Sequence, residues 1–236
     1  MPFTTNTIKK NLLLCVFLVL VFCCFSQAAL METESAENVL RFSLWSLLED
    51  EPSLEKEALE NFYDKSVQEL KILAPFLLEG MIYGWSFSYV PSDIARQVAE
   101  ELEILPLVRI ALPDERLSFL EPRVENERFY VWLEYRRTNS MMAYKKAWDS
   151  VVYPKAKGVG QASLLMGTEG ILEAYEQALK NAIRGFVQKQ EKNKPRRISG
   201  RVLLVNQPVL GIQAGRYTAA LDFFVHVIKI ERYTEF

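Results

Sequence analysis

The chain has 236 residues, half of them hydrophobic, and its 30 acidic and 28 basic side chains leave a net charge of −2. It has no low-complexity stretch and only one apolar run long enough to span a membrane. This excludes a disordered polymer or a multi-span membrane protein and suits one compact domain, or two small ones sharing a core. The near balance hides a division: residues 29–134 hold 22 acidic and 9 basic side chains, a net of −13, whereas residues 135–236 hold 8 and 17, a net of +9. Such halves attract one another or meet different oppositely charged partners.

Residues 1–28 read as a signal peptide. Lys9 and Lys10 precede an apolar run, Leu12 to Phe25, that ends in Ser26-Gln27-Ala28-Ala29, with small side chains where cleavage requires them. Cys15, Cys23 and Cys24 all lie in that run, so the mature chain has no cysteine and owes nothing to disulfides. The protein is expected to be exported, to the periplasm or cell envelope. Left uncleaved, Asn11 to Leu30 is about 20 residues, enough for a helix to cross a bilayer at roughly 1.5 Å per residue. The alternative is therefore an anchored protein that meets the membrane only through this segment. Lipidation at Cys23 or Cys24 is disfavoured, because Phe22 and Cys23 stand where a small residue is needed.

Residues 29–79 form a helical lead-in. Helices are predicted over Ser35 to Asp50 and from Ser53 to about Leu73, the second carrying Leu54, Ala58, Phe62, Val67 and Leu70 at helical spacing and ending at Pro75. From Met81 the period becomes two, with Tyr83, Trp85, Phe87 and Tyr89 on one face of a strand. Ser92 then caps a helix over Ile94, Val98, Ala99 and Leu102, followed by strands at Leu105 to Ala111 and Arg128 to Arg136.

The second half follows the same order. A strand at Lys155 to Ser163 leads to Thr168 as a cap and to a helix striped by Ile171, Tyr175, Ala178, Leu179, Ala182 and Ile183, then to strands at Ile198 to Val205 and Arg216 to Ile230. Local details echo: Gly84 stands eight residues before Ser92 and Gly160 eight before Thr168. The expected architecture is α+β, N-terminal helices followed by two divergent βαββ modules packed together, the first with its linker over residues 80–150 and the second over 151–236. Met141 to Trp148 fall in the linker.

The second module has a glycine-bearing strand, the helix EAYEQALKNAI and then ISGRVLLVNQP before a long last strand. In that pattern, over about 75 residues, it resembles the small βαββ modules of bacterial periplasmic flagellar-assembly proteins and related outer-membrane lipoproteins. The resemblance implies a structural or assembly role and no catalytic residues.

Motifs for chemistry are sparse. His226 is the single histidine, which excludes multi-histidine zinc sites, and in a strand it stands about 13 Å from Asp222, too far for a direct hydrogen bond. Ser53-Leu54-Glu55-Lys56 has the S-x-x-K spacing but lacks the downstream Lys-Thr-Gly, so Ser53 reads as a cap. Gly158-Val159-Gly160 lacks the remaining glycine or lysine of a nucleotide loop and reads as a site of a bulge or of close packing in the strand. Glu100, Glu101 and Glu103 read as an exposed helix face.

No catalytic, cofactor-binding or metal-ligating residue is expected, and no cofactor. The candidate binding residues are Lys192, Lys194, Arg196 and Arg197 in the run Lys189 to Arg197, predicted as a loop between helix and strand. No aromatic residues interleave with these cations, so nucleic acid is not expected as a partner. The expected function is that of a non-enzymatic, exported envelope protein acting by contact with other envelope proteins. The alternative is a periplasmic binding protein for a glycan or other small ligand, using the aromatic strand face or the basic loop.

Overall fold

A computed structural model describes residues 38–48, 56–149 and 153–233, so the leader over 1–28 and Ser53 lie outside the described residues. The chain divides into Met1–Leu40, described only at the start of its first strand, and Arg41–Phe236, which holds the rest of that strand and every later element. The fold is mostly β, with 44% strand and 32% helix: nine strands in two antiparallel sheets and three helices among the described residues. This corrects the expected α+β arrangement of N-terminal helices and two βαββ modules.

The elements are β1 (Val39–Leu47), α1 (Lys56–Ile82), β2 (Trp85–Val90), β3 (Glu101–Pro106), β4 (Leu117–Glu125), β5 (Arg128–Arg136), α2 (Asn139–Trp148), β6 (Lys155–Ser163), α3 (Gly167–Gln190), β7 (Arg197–Leu204), β8 (Val209–Gln213) and β9 (Arg216–Glu231). One sheet has the order β1-β5-β4; the other runs β3-β2-β7-β9-β6, with β8 also paired to β9.

Three departures from the sequence reading explain the difference. The segment expected as a first helix is β1, in which Phe42 and Leu44 are buried. Its leucines also recur at helical spacing, and the tie is broken by β5, whose edge β1 occupies. The helix expected after Ser92 is absent: Val90 pairs with Glu101 across a β2–β3 hairpin, and the residues between form its loop, pinned by the Asp93–Val98 bridge. Ile94, expected to face inward, is 91% exposed at the loop tip. Finally, α1 passes through Pro75 without stopping, because Leu70, Leu73, Ala74, Leu77, Leu78 and Ile82 form one continuous buried stripe on either side of it. The first half therefore has no crossover helix, and its strands are shared between two sheets.

The second half places its strands and long helix close to where the periodicity sets them, with β8 as an unexpected addition. Both β6 and β7 run antiparallel to β9, on its opposite sides, and α3 carries the chain from one to the other. Ile171, Ala174, Tyr175, Ala178, Leu179, Ala182 and Ile183 of α3 are all 2% exposed or less and pack over β6 and β9. The approach is unusually close because β6 offers glycines there. A Cβ on Gly158 would lie 2.0 Å from Ala178 O, and one on Gly160 2.2 Å from Ala174 O. Gly158-Val159-Gly160 thus serves helix packing. The other face of the large sheet is partly covered by α2, whose Trp148 packs on Leu203 and Phe224.

Gly160→Ala should force α3 away from β6 and lower stability by about 1–3 kcal/mol, the usual range for overpacking. Gly211→Ala, where nothing lies within 4 Å of the added carbon, should change stability far less. Equal denaturation midpoints for the two variants in urea would contradict the role given to the close approach.

Candidate functional site

The basic run spans the end of α3 and the start of β7. Lys192 and Lys194 line a cleft of about 280 Å³ together with Ser92, Glu100, Arg184 and Glu191. Arg196 and Arg197 lie instead at the start of β7, beside Glu231: Arg196 N donates to Glu231 O (2.8 Å), and both guanidinium groups help to hold the Glu231 carboxyl below its usual pKa, after the larger effect of Lys229. Lys194 Nζ donates to Ser92 O (3.0 Å), so this lysine ties the basic loop to the β2–β3 loop.

The floor of that cleft is an electrostatic latch. Tyr89 Oη donates to Glu100 Oε1 (2.6 Å), and Arg184 donates from Nε to the same oxygen (2.7 Å) and from Nη2 to Oε2. Burial works to raise the pKa of Glu100, but the hydrogen bonds from Arg184 and Tyr89 prevail and hold it low. Glu100 thus belongs to a loop latched onto α3, whereas Glu101 and Glu103 stand exposed on β3, so the three do not share a helix face. The strand aromatics are equally committed: Trp85, Phe87 and Tyr89 are 3% exposed or less and form core.

Sequence reading missed the outer face of the three-stranded sheet, where aromatic rings lie under arginines. Arg41 sits over the Trp132 ring (4.8 Å to its centroid), Arg123 over Tyr130 (5.0 Å) and Arg128 over Trp45 (4.3 Å). Such pairs are cation–π contacts. Arg41 also bridges Glu121 (3.0 Å) and Glu134 (3.3 Å). The face arises from the alternation of β5: Phe129, Val131, Leu133 and Tyr135 are buried, which turns Tyr130, Trp132 and Glu134 outward. That alternation was legible; β1 and β4, which supply Arg41 and Arg123, were not.

Two further clusters complete the polar landscape. An open groove of about 520 Å³ is lined by Tyr83, Arg109, Ile110, Asp114 and Arg116 among others. Hydrogen bonds from Arg116 and Tyr135 hold the Asp114 carboxyl down at about 2. Glu79, beside the groove, accepts from Ile110 N (2.8 Å), and burial raises its pKa. On the large sheet His226 faces the rings of Tyr153 (5.0 Å) and Trp148 (6.3 Å), while Asp222 pairs with Lys157 (2.8 Å), so the two residues share a strand but no site. Among the described residues there is no group of three or more histidine, cysteine or carboxylate side chains placed to hold a metal, and no helix long and apolar enough to cross a membrane.

A protein-family model matches residues 24–233. The chain belongs to that family. An uncharacterized protein of Treponema pallidum (strain Nichols) is similar to it, with 27% identity over 226 residues, covering 93% of this chain and 94% of the relative. No solved structure matches.

In this member of the family burial strongly perturbs one cation of α2, Lys145. Its Nζ donates to Leu204 O (2.5 Å) and Val205 O (3.0 Å), fastening α2 to the end of β7. Burial pushes its pKa down to about 8 from 10.5; Asp149 opposes that shift, and Arg137 and Lys155 reinforce it. Between those values the unfolded chain binds the proton and the folded chain does not, so the contribution of Lys145 to stability rises with pH across about 8 to 10.5. The neutral amine can still donate to both carbonyls. Thermal melting of the wild type relative to Lys145→Met should show a stability difference that moves in favour of the wild type as pH rises from 8 to 10. A difference independent of pH would refute the assignment.

Proposed function

We propose that the protein is a non-enzymatic, exported cell-envelope protein that acts as an interaction or assembly module, with other envelope proteins as partners. The observation that carries this reading is the arginine-covered aromatic face of the three-stranded sheet. Trp, Tyr and Arg are the residues most enriched at the energetic centres of protein interfaces. Here Trp132, Tyr130, Arg41 and Arg123 stand together on a sheet surface rather than in a deep cleft. Their positions are set by neighbouring rings and ion pairs, so little side-chain freedom remains to be lost on binding.

The apolar leader is the sequence feature behind the assignment to the envelope. The sheet edges argue for the face as the contact surface. On β6 the carbonyl of Val159 is capped by Asn181 Nδ2 (2.8 Å), and Lys155 and Lys157 line the strand. On β4 a register irregularity between Leu120 and Arg123 surrounds Pro122. Both devices discourage strand addition.

The test is capture of crosslinked envelope proteins by the wild type, by Trp132→Ala and by a Lys192→Glu, Lys194→Glu double variant. Loss of a hot-spot residue worth about 2 kcal/mol weakens an interface roughly thirtyfold. Trp132→Ala should therefore lose a partner that the double variant keeps. Retention of every captured protein by Trp132→Ala would move the contact off this face, and recovery of a glycan with no protein would favour the binding-protein alternative.

A further inference from the structure

Three segments converge where α3 ends: the β2–β3 loop, the basic run and the end of β9. Lys194 Nζ donates to Ser92 O (3.0 Å), Arg232 Nη2 donates to both oxygens of Glu191 (3.1 Å each), and the Arg96 guanidinium lies 4.2 Å from the centroid of the Tyr233 ring. The carboxylates tied into this end are already paired with cations: Asp93 with Arg96, Glu100 with Arg184, Glu191 with Arg232 and Glu231 with Lys229. Lys192, Lys194, Arg196 and Arg197 are exposed and form no ion pair among the described residues. They leave this end with an excess of positive charge.

Beside these cations the β2–β3 loop holds an apolar side chain out in water. Ile94 is 91% exposed at the tip, and Ala95 next to it is exposed too. The loop behind them is closed: Asp93 and Val98 exchange two backbone hydrogen bonds of 2.9 Å, and the Asp93 carboxylate accepts from Arg96 (2.6 Å). Ile94 is thus presented by a fixed support with no apolar partner of its own. A soluble anion would satisfy the cations and leave Ile94 in water, and another protein would have to supply a pocket shaped to this convex tip. The boundary of an anionic bilayer answers both demands, since its phosphates meet the cations and its acyl chains yield to a protruding aliphatic group.

We infer that this end docks on an anionic phospholipid surface, with Ile94 inserted at the headgroup boundary and Lys192, Lys194, Arg196 and Arg197 on the phosphates. It is a contact of the folded part of the chain, separate from the one expected of an uncleaved leader. It does not rest on the protein-contact role, because it shares no residue with the arginine-covered face.

The test follows hydrogen–deuterium exchange of the full chain on vesicles of phosphatidylglycerol mixed into phosphatidylcholine. The leader is the same in every sample, so differences between samples report this end. Residues 91–100 and 189–197 should become protected as the phosphatidylglycerol fraction rises, and stay unprotected on phosphatidylcholine alone. Ile94→Ser, followed at residues 189–197, should lower the bound-to-free ratio about tenfold, the low end for withdrawing an isoleucine side chain from water. A Lys192→Glu, Arg196→Glu, Arg197→Glu variant, followed at residues 91–100, should lower it more than about a hundredfold, since each cation near such a surface is worth about fivefold. Lys194 is kept for its bond to Ser92. Leu165→Ser should change nothing: Leu165 is 97% exposed, but it precedes α3, whose 24 residues separate it from the basic run by about 36 Å. All the altered side chains are exposed, so the core is left intact. The inference is overturned if phosphatidylcholine protects equally, or if glycerol 3-phosphate or polyglutamate in solution gives the same protection. It is overturned as well if either of the first two variants keeps the wild-type ratio, or if Leu165→Ser loses as much as Ile94→Ser.

Discussion

The fold depends on β9. Its sixteen residues are far longer than an ordinary strand, and both edges are used: residues 216–224 pair with β6 on one side, while residues 216–220 and 223–231 pair with β8 and β7 on the other. Tyr217, Ala219, Leu221, Phe223 and Val225 form one buried face, so a register slip of one residue would turn all five outward. Three strands of the large sheet, β6, β7 and β8, pair with it directly. The helix connecting β6 and β7 must then cross over the buried face, and the glycines of β6 let it do so at close range.

That close packing determines what the surface can offer. Because α3 lies tight on the sheet, Arg184 projects from its flank to the β2–β3 loop and latches Glu100, an acidic residue of the first half held by a basic residue of the second. The charge division of the chain is expressed here as an internal pairing. In the basic run after α3, Lys194 donates to Ser92 O and the backbone N–H of Arg196 to Glu231 O.

The aromatic residues are divided among separate tasks by strand alternation and element order. Trp85, Phe87 and Tyr89 fill the core under the helices; Trp148 seals the opposite side of the large sheet; Trp132 stays at the surface beneath Arg41; Trp45 lies against the rings of Tyr130 and Tyr217. The four tryptophans of the chain thus have four different environments. Trp45 and Trp132 lie on the small sheet, whose strands come from distant parts of the first half, and the arginine-covered face arises from that assembly.

Periodicity by itself determined the elements whose pattern had one reading. The alternation of β5, the wide stripe of α3 and the long last strand were legible because each matches a single period over many residues, and burial of an apolar face is a local demand. The glycines of β6 read as either a bulge or close packing, and the approach of α3 decides for the second. Tertiary structure decided the rest. β1 could satisfy either period until β5 claimed it, the segment after Ser92 became a hairpin loop because β2 and β3 paired, and α1 ran through Pro75 because its apolar stripe continued beyond. The arginine-covered aromatic face and the meeting of the Ile94 loop with the basic run were invisible for the same physical reason. Their residues are distant in sequence, 102 positions apart in the Lys194–Ser92 contact, and no local pattern records which distant segments will meet.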